Sequence, residues 1–95
     1  FGGFLPYKKG KRRRELEEAL KRGHTSLYFE SPHRLVSTLQ ILSELEPKVH
    51  ISILKELTKK FENMYGGETV KLLGTFTDRE PRGEFVLAID PTSLS

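Results

Sequence analysis

Leu16, Ala19 and Leu20 recur at helical spacing within residues 11–22, and Glu17 and Glu18 are followed four positions later by Lys21 and Arg22. One face is thus apolar and another carries ion pairs in the favourable order, which predicts a helix. Gly23 stands where a helix C-terminus takes left-handed backbone. Residues 25–30 (TSLYFE) form a short apolar and aromatic run left through Ser-Pro, the pattern of a buried strand. A second helix follows at once: Ser31 can cap it and Pro32 suits its first position. Leu35, Leu39, Leu42 and Leu45 then repeat along one face, with Val36 and Ile41 beside them, until Pro47 closes it.

Residues 49–55 alternate, setting Val49, Ile51 and Ile53 against His50 and Ser52, and so predict a strand with one buried face. Residues 56–60 read as a connector, 61–65 as a further strand, and 68–74 as a short helix offering Val70, Leu72 and Leu73 for burial. Gly2-Gly3 and Gly66-Gly67 match no phosphate-loop spacing and read as turns. Residues 75–82 are polar and loop-like, 84–90 (EFVLAID) make the clearest buried strand, and 91–95 read as a tail. Helices interleaved with strands predict a single α/β domain over residues 1–95, layered, with a mixed β-sheet flanked by helices.

With 36% hydrophobic and 31% charged residues the chain has a globular composition, and it holds no apolar run long enough to span a bilayer. The absence of cysteine excludes disulfides and thiolate metal sites. Three histidines without helical pairing leave no expected metal site. A cytoplasmic setting is the expected default, since no targeting segment is visible. A chain opening on Phe1 with its one methionine at Met64 reads as a piece of a longer protein.

The net charge of +3 hides an asymmetry. Lys8, Lys9, Lys11, Arg12, Arg13 and Arg14 fall together without an acid, and the other ten basic residues face 13 acids, a balance of −3. Such a run is either a solvated helix start or a contact for a polyanion such as RNA phosphate. Cations in a first helical turn oppose the macrodipole by a few tenths of a kcal/mol each, a local cost that a binding role would offset.

Glu30-Ser31-Pro32-His33-Arg34 lies where a strand ends and a helix begins. In open α/β sheets ligands gather at that edge, and Arg34 adds a planar fork for phosphate or carboxylate. Ordinary capping with solvated His33 and Arg34 is the plainer reading of the same spacing. Glu30 is harder to assign to solvent, because a carboxylate closing an apolar strand needs a fixed partner or a cleft. If the strands at 25–30 and 49–55 run parallel, the polar residues from Lys55 to Lys60 emerge at the same edge.

Read together, four segments resemble one family: Gly3-Phe4-Leu5-Pro6 with the basic run after it, Glu30-Ser31-Pro32-His33-Arg34, Glu56-Leu57-Thr58-Lys59 with Phe61-Glu62, and Gly83-Glu84-Phe85-Val86-Leu87. The chain is similar to the C-terminal domain of bacterial small-subunit ribosomal RNA (cytidine) 2′-O-methyltransferases of the tetrapyrrole methylase superfamily. The resemblance implies an S-adenosylmethionine-dependent enzyme of two α/β domains, a homodimer with the cofactor between its domains. This chain would be the second half, inactive alone, with the N-terminal domain absent.

By the same resemblance Tyr28, Phe29, Glu30, Ser31, Lys55, Glu56, Leu57, Gly83 and Glu84 approach the cofactor. Glu30 and Glu56 are the candidates for a proton acceptor, and Lys8, Lys9, Lys11, Arg12, Arg13, Arg14, Arg34 and Lys59 meet rRNA phosphates. Leu54-Lys55 stands where the family usually has Ala-Arg, and a lysine lacks the bidentate fork. Tyr28-Phe29 reverses the usual Phe-Tyr. Two other readings compete: a methyltransferase for a porphyrin or corrin ring, whose carboxylates could also use the basic run, and a non-enzymatic RNA- or ribosome-binding module.

Overall fold

The structure is a computed structural model that describes residues 2–56, 61–77 and 83–94. Helix α1 runs from Lys9–Lys21, ending on Arg22 and on Gly23 at φ 75. This is the left-handed exit that glycine permits cheaply. Strand β1 is Ser26–Glu30, helix α2 Pro32–Leu45, strand β2 His50–Glu56, strand β3 Phe61–Glu68, helix α3 Thr69–Thr77 and strand β4 Glu84–Asp90. A 3₁₀ turn over Pro91–Leu94 replaces the expected tail. It is held because Ser93 Oγ donates to the Asp90 carbonyl at 2.7 Å and accepts the His50 N–H at 2.9 Å.

The four strands form one sheet in the order β1-β4-β2-β3, with every pairing between them antiparallel. The layered α/β domain is as expected, but the mixed sheet is not. β1 and β2 do point the same way, yet β4 inserts between them, so parallel strands never become neighbours. The parallel component is an isolated Phe4–Phe29 bridge at the outer edge of β1. There the Gly2 N–H donates to the Leu27 carbonyl at 2.8 Å and the Phe29 N–H to the Gly3 carbonyl at 2.9 Å.

Neither glycine pair is a simple turn. Gly2 lies so close to β1 that a Cβ there would stand 2.2 Å from a ring carbon of Tyr28, so the edge attachment requires glycine. Gly66 and Gly67 lie within β3 opposite Ser52 and Ile51, and Gly67 at φ 151 is a conformation L side chains rarely adopt. The strand then passes directly into α3, where the Thr69 N–H and hydroxyl both donate to the Val49 carbonyl, at 3.0 and 2.9 Å. Residues 75–77, expected in a loop, complete α3; the rest of that expected loop lies outside the described residues.

Alternation decides which face is covered. Tyr28, Phe85, Leu87, Ile89, Ile51 and Ile53 are buried beneath Leu16 and Ala19 of α1, Leu35, Leu39 and Leu42 of α2, and Leu72 and Phe76 of α3. Each large side chain so removed from water contributes about 1.5–3 kcal/mol. Phe76 meets Phe85 and Tyr65 edge-on, with centroids 5.9 and 5.0 Å apart. The helices cover one face. The other carries Leu27 and Phe29, each 37% exposed, with Val86, Leu54 and the 72% exposed Met64 in the Phe29 row. Among the described residues no helix is long and apolar enough to cross a membrane.

Candidate functional site

The end of β1 places Glu30 on the covered face, where none of it reaches solvent. Oε1 accepts the Ser31 N–H at 2.9 Å and pairs with Arg34 Nε at 3.3 Å, while Oε2 accepts the Thr38 hydroxyl at 2.6 Å. A buried carboxylate is tolerated when both oxygens are so occupied, and these bonds tie the strand end to the first two turns of α2. Ser31 occupies the N-cap position without a side-chain cap bond; its Oγ instead accepts from Arg34 Nε at 3.3 Å. Glu30 is therefore an anchor for Arg34 and Ser31, and as placed it has no oxygen directed at the open face.

Tyr28 also turns toward the helices. Its hydroxyl donates to Glu15 Oε2 and accepts from Arg22 Nη2, both at 2.7 Å, and Arg22 Nη2 reaches the same carboxylate oxygen at 3.1 Å. The Tyr28 hydroxyl and then Arg22 hold the Glu15 carboxyl below its ordinary value. Burial first, and Glu15 next, push the Tyr28 hydroxyl up. This trio fastens α1 to β1. Phe29, one residue on, faces the open side, its ring 5.3 Å from that of Phe4.

The basic run separates into distinct fates. Lys8, Lys9, Lys11 and Arg14 are exposed. Arg13 pairs with Glu44 of α2 at 2.8 Å and lies 3.8 Å from Glu17. Arg12, expected at the surface as a phosphate contact, is only 2% exposed. Its Nη2 donates to Ser37 Oγ at 3.1 Å, whereas Nε and Nη1 are buried without a hydrogen-bond partner. Leaving such donors unmet costs about 1–3 kcal/mol each.

A cavity of about 400 Å³ opens between the two helix starts. Tyr7, Lys8, Lys9 and Arg12 line it from the α1 side, and His33, Arg34 and Ser37 from α2. The Arg34 guanidinium lies 5.7 Å from the centre of the 83% exposed Tyr7 ring. Two segments singled out separately in the sequence, the basic run and Glu30 to Arg34, thus meet at one concave, cationic surface suited to an anion.

At the sheet edge where β1 and β2 end and β4 begins, Glu30, Phe85 and Lys55 form one cross-strand row, with Glu56 opposite Glu84 in the next. Lys55 is half-buried on the covered face, Glu84 is exposed, and Gly83 adopts φ 89. The strand order brings the backbone of Ser31, Lys55, Glu56, Gly83 and Glu84 to one sheet edge. Leu57 and Lys59 lie outside the described residues. No group of three or more potential metal ligands occurs among the described residues.

Sequence reasoning missed Tyr7, Thr38, Ser37 and Glu15. Ser37 and Thr38 both lie in the second turn of α2, and their spacing from Ser31 carries a signal only once Glu30 is known to point at the helix. Tyr7 had one visible cue, an aromatic residue directly before a basic run.

No protein-family model matches the chain. It is similar over nearly its whole length to proteins named ribosomal RNA small subunit methyltransferase I. The one from Bacillus subtilis is 37% identical over 90 residues, 95% of this chain and 31% of that protein. The one from Coprothermobacter proteolyticus is 40% identical over 92 residues, 97% of this chain and 40% of that protein. A third, from Thermotoga maritima, is 34% identical over 90 residues. These homologues carry the resemblance read from four separated segments across almost the entire chain, which spans 31–40% of the length of the first two relatives.

Proposed function

We propose that this chain is the C-terminal part of a methyltransferase that uses S-adenosylmethionine to methylate the ribose 2′-hydroxyl of a cytidine in small-subunit rRNA. The observation that carries the reading is the cationic cavity joining the basic run to Arg34, on a chain whose homologues are named for ribosomal RNA methylation. An N-terminal domain completing the cofactor cleft, a homodimeric assembly and a cytoplasmic setting belong to the same proposal.

The residues at the β1, β2 and β4 edge fit an adenosyl cofactor in kind. The partly exposed Phe29 ring beside Phe4 offers an apolar face to a purine, and the exposed Glu84 offers a carboxylate to an amino or sulfonium group. Gly83 admits a close backbone approach. When bound, the cofactor supplies a methyl already activated on a sulfonium, so the protein's work is alignment and removal of one proton. Ser31, Lys55 and Glu56 complete that edge, with Glu56 the candidate proton acceptor. Tyr28 and Glu30, committed on the other face, act by fixing their neighbours. Lys8, Lys9, Lys11 and Arg14 draw in the rRNA.

The test is methyl transfer from labelled S-adenosylmethionine, by the full protein that carries this chain, to small ribosomal subunits lacking the modification, followed by mapping of the label. Label on a single cytidine 2′-oxygen is the expected result. Cofactor binding without transfer to ribosomal RNA in any assembly state would overturn the substrate, and no cofactor binding would overturn the enzyme.

A further inference from the structure

The Arg12 cavity has features that a merely basic surface lacks. Arg12 is held at its floor by Ser37, with two guanidinium nitrogens lacking a partner, and among the described residues it forms no ion pair. The cavity's lining includes no carboxylate. A buried guanidinium without an acid is costly unless an anion arrives to meet it, and a tetrahedral oxyanion matches its fork of donors. His33 and Arg34 come from the first turn of the 14-residue helix α2, whose dipole also favours negative charge there.

A lone phosphate would need nothing more, but the surroundings exceed that need. The Tyr7 ring stands exposed at the mouth beside the Arg34 guanidinium, a flat apolar platform next to a phosphate-sized seat. The exposed Lys8, Lys9, Lys11 and Arg14 continue the positive track along α1. Stacking platform, phosphate seat and cationic track together are the pattern by which proteins hold single-stranded nucleic acid.

We propose that this cavity is a one-nucleotide seat for single-stranded RNA, with a backbone phosphate on Arg12, Lys8 and Lys9 and the adjoining base on Tyr7. The proposal rests on the rRNA reading for its choice of polymer. It assigns Arg12 a direct contact different in kind from those of its exposed neighbours, since this seat is built into the interface between α1 and α2.

The probes are a short labelled single-stranded RNA, followed by fluorescence anisotropy over a range of salt, and inorganic phosphate alone. Arg12→Met is expected to weaken RNA binding about tenfold or more and to lower the salt slope by ~0.7. It should leave the melting temperature unchanged or higher, because an unmet buried charge is removed. Arg12→Lys should recover the salt slope but only part of the affinity. Tyr7→Ala, a change at an exposed position that cannot disturb the core, should weaken RNA binding roughly five- to a hundredfold while leaving inorganic phosphate binding untouched.

Unchanged RNA affinity and salt slope in Arg12→Met and Tyr7→Ala would overturn the proposal. So would inorganic phosphate that saturates the cavity without competing with RNA, which would mark a seat for free phosphate. Neither readout depends on methyl transfer. A protein that fails to methylate rRNA yet shows these losses refutes the enzymatic reading and keeps the seat.

Discussion

Thr38 donates its hydroxyl proton to Glu30 Oε2 across 2.6 Å, wholly out of contact with water. The helix that follows β1 is thereby fastened to the strand end by a residue in its second turn, and Arg34 is positioned between the two. Truncation of Glu30 strands the Thr38 hydroxyl, the Ser31 N–H and a partly buried guanidinium together. Glu30→Ala is expected to destabilise the protein by about 2–4 kcal/mol. Glu30→Gln, which keeps the shape, should cost about half as much. Urea denaturation measures both, and near-neutral behaviour of Glu30→Ala would contradict the anchoring role.

The Tyr28, Glu15 and Arg22 trio makes stability depend on pH at both ends. Glu15 sits below its ordinary value, so its contribution is complete above the unfolded-state pKa and lost as pH falls through the folded one. Tyr28 sits above its ordinary value, so its contribution is complete below the unfolded-state pKa and lost as pH rises through the folded one. Tyr28→Phe should cost about 1 kcal/mol at neutral pH and flatten the alkaline decline. Denaturation midpoints across pH would show it, and an unaltered alkaline limb would count against the assignment.

Gly2→Ala places a methyl 2.2 Å from the Tyr28 ring. The edge segment must then lift from β1 or push the ring off Glu15, at a cost of about 1–3 kcal/mol. Faster amide exchange at Phe29, whose N–H is bonded to Gly3, should report the detachment.

Lys11 is exposed in the first turn of α1. Lys11→Gln is expected to stabilise the protein by a few tenths of a kcal/mol, by relieving the opposition to the helix dipole. The same change should weaken RNA binding and reduce its salt dependence. Thermal melts and RNA titrations on one preparation would display this opposition, and a variant weaker in both respects would refute it.

Elements with internal periodicity were legible: α1, α2, β2 and β4 lie within two residues of where Leu16, Leu35, Ile51 and Phe85 predicted them. What escaped was set by contacts distant in sequence. Nothing near Gly66 shows that Ser52 will pair with it and keep β3 extended. Nothing around β1 and β2 shows that β4 will come between them. At the site, residue types and their shared edge were readable, but the inward turn of Tyr28 and Glu30 and the burial of Arg12 depended on partners in other elements.

β4 lies between β1 and β2 in space but follows both in sequence. Until residues 84–90 have been synthesised, β1 has no strand beside it in the sheet and β2 can pair only with β3. The sheet is completed only by its last strand, and the β1–β4 pairing closes a loop of more than half the chain. A growing chain halted before Glu84 should hold helices and the β2–β3 hairpin with apolar faces uncovered, the kind of intermediate that chaperones retain. Folding of this unit is therefore timed by translation of its final strand.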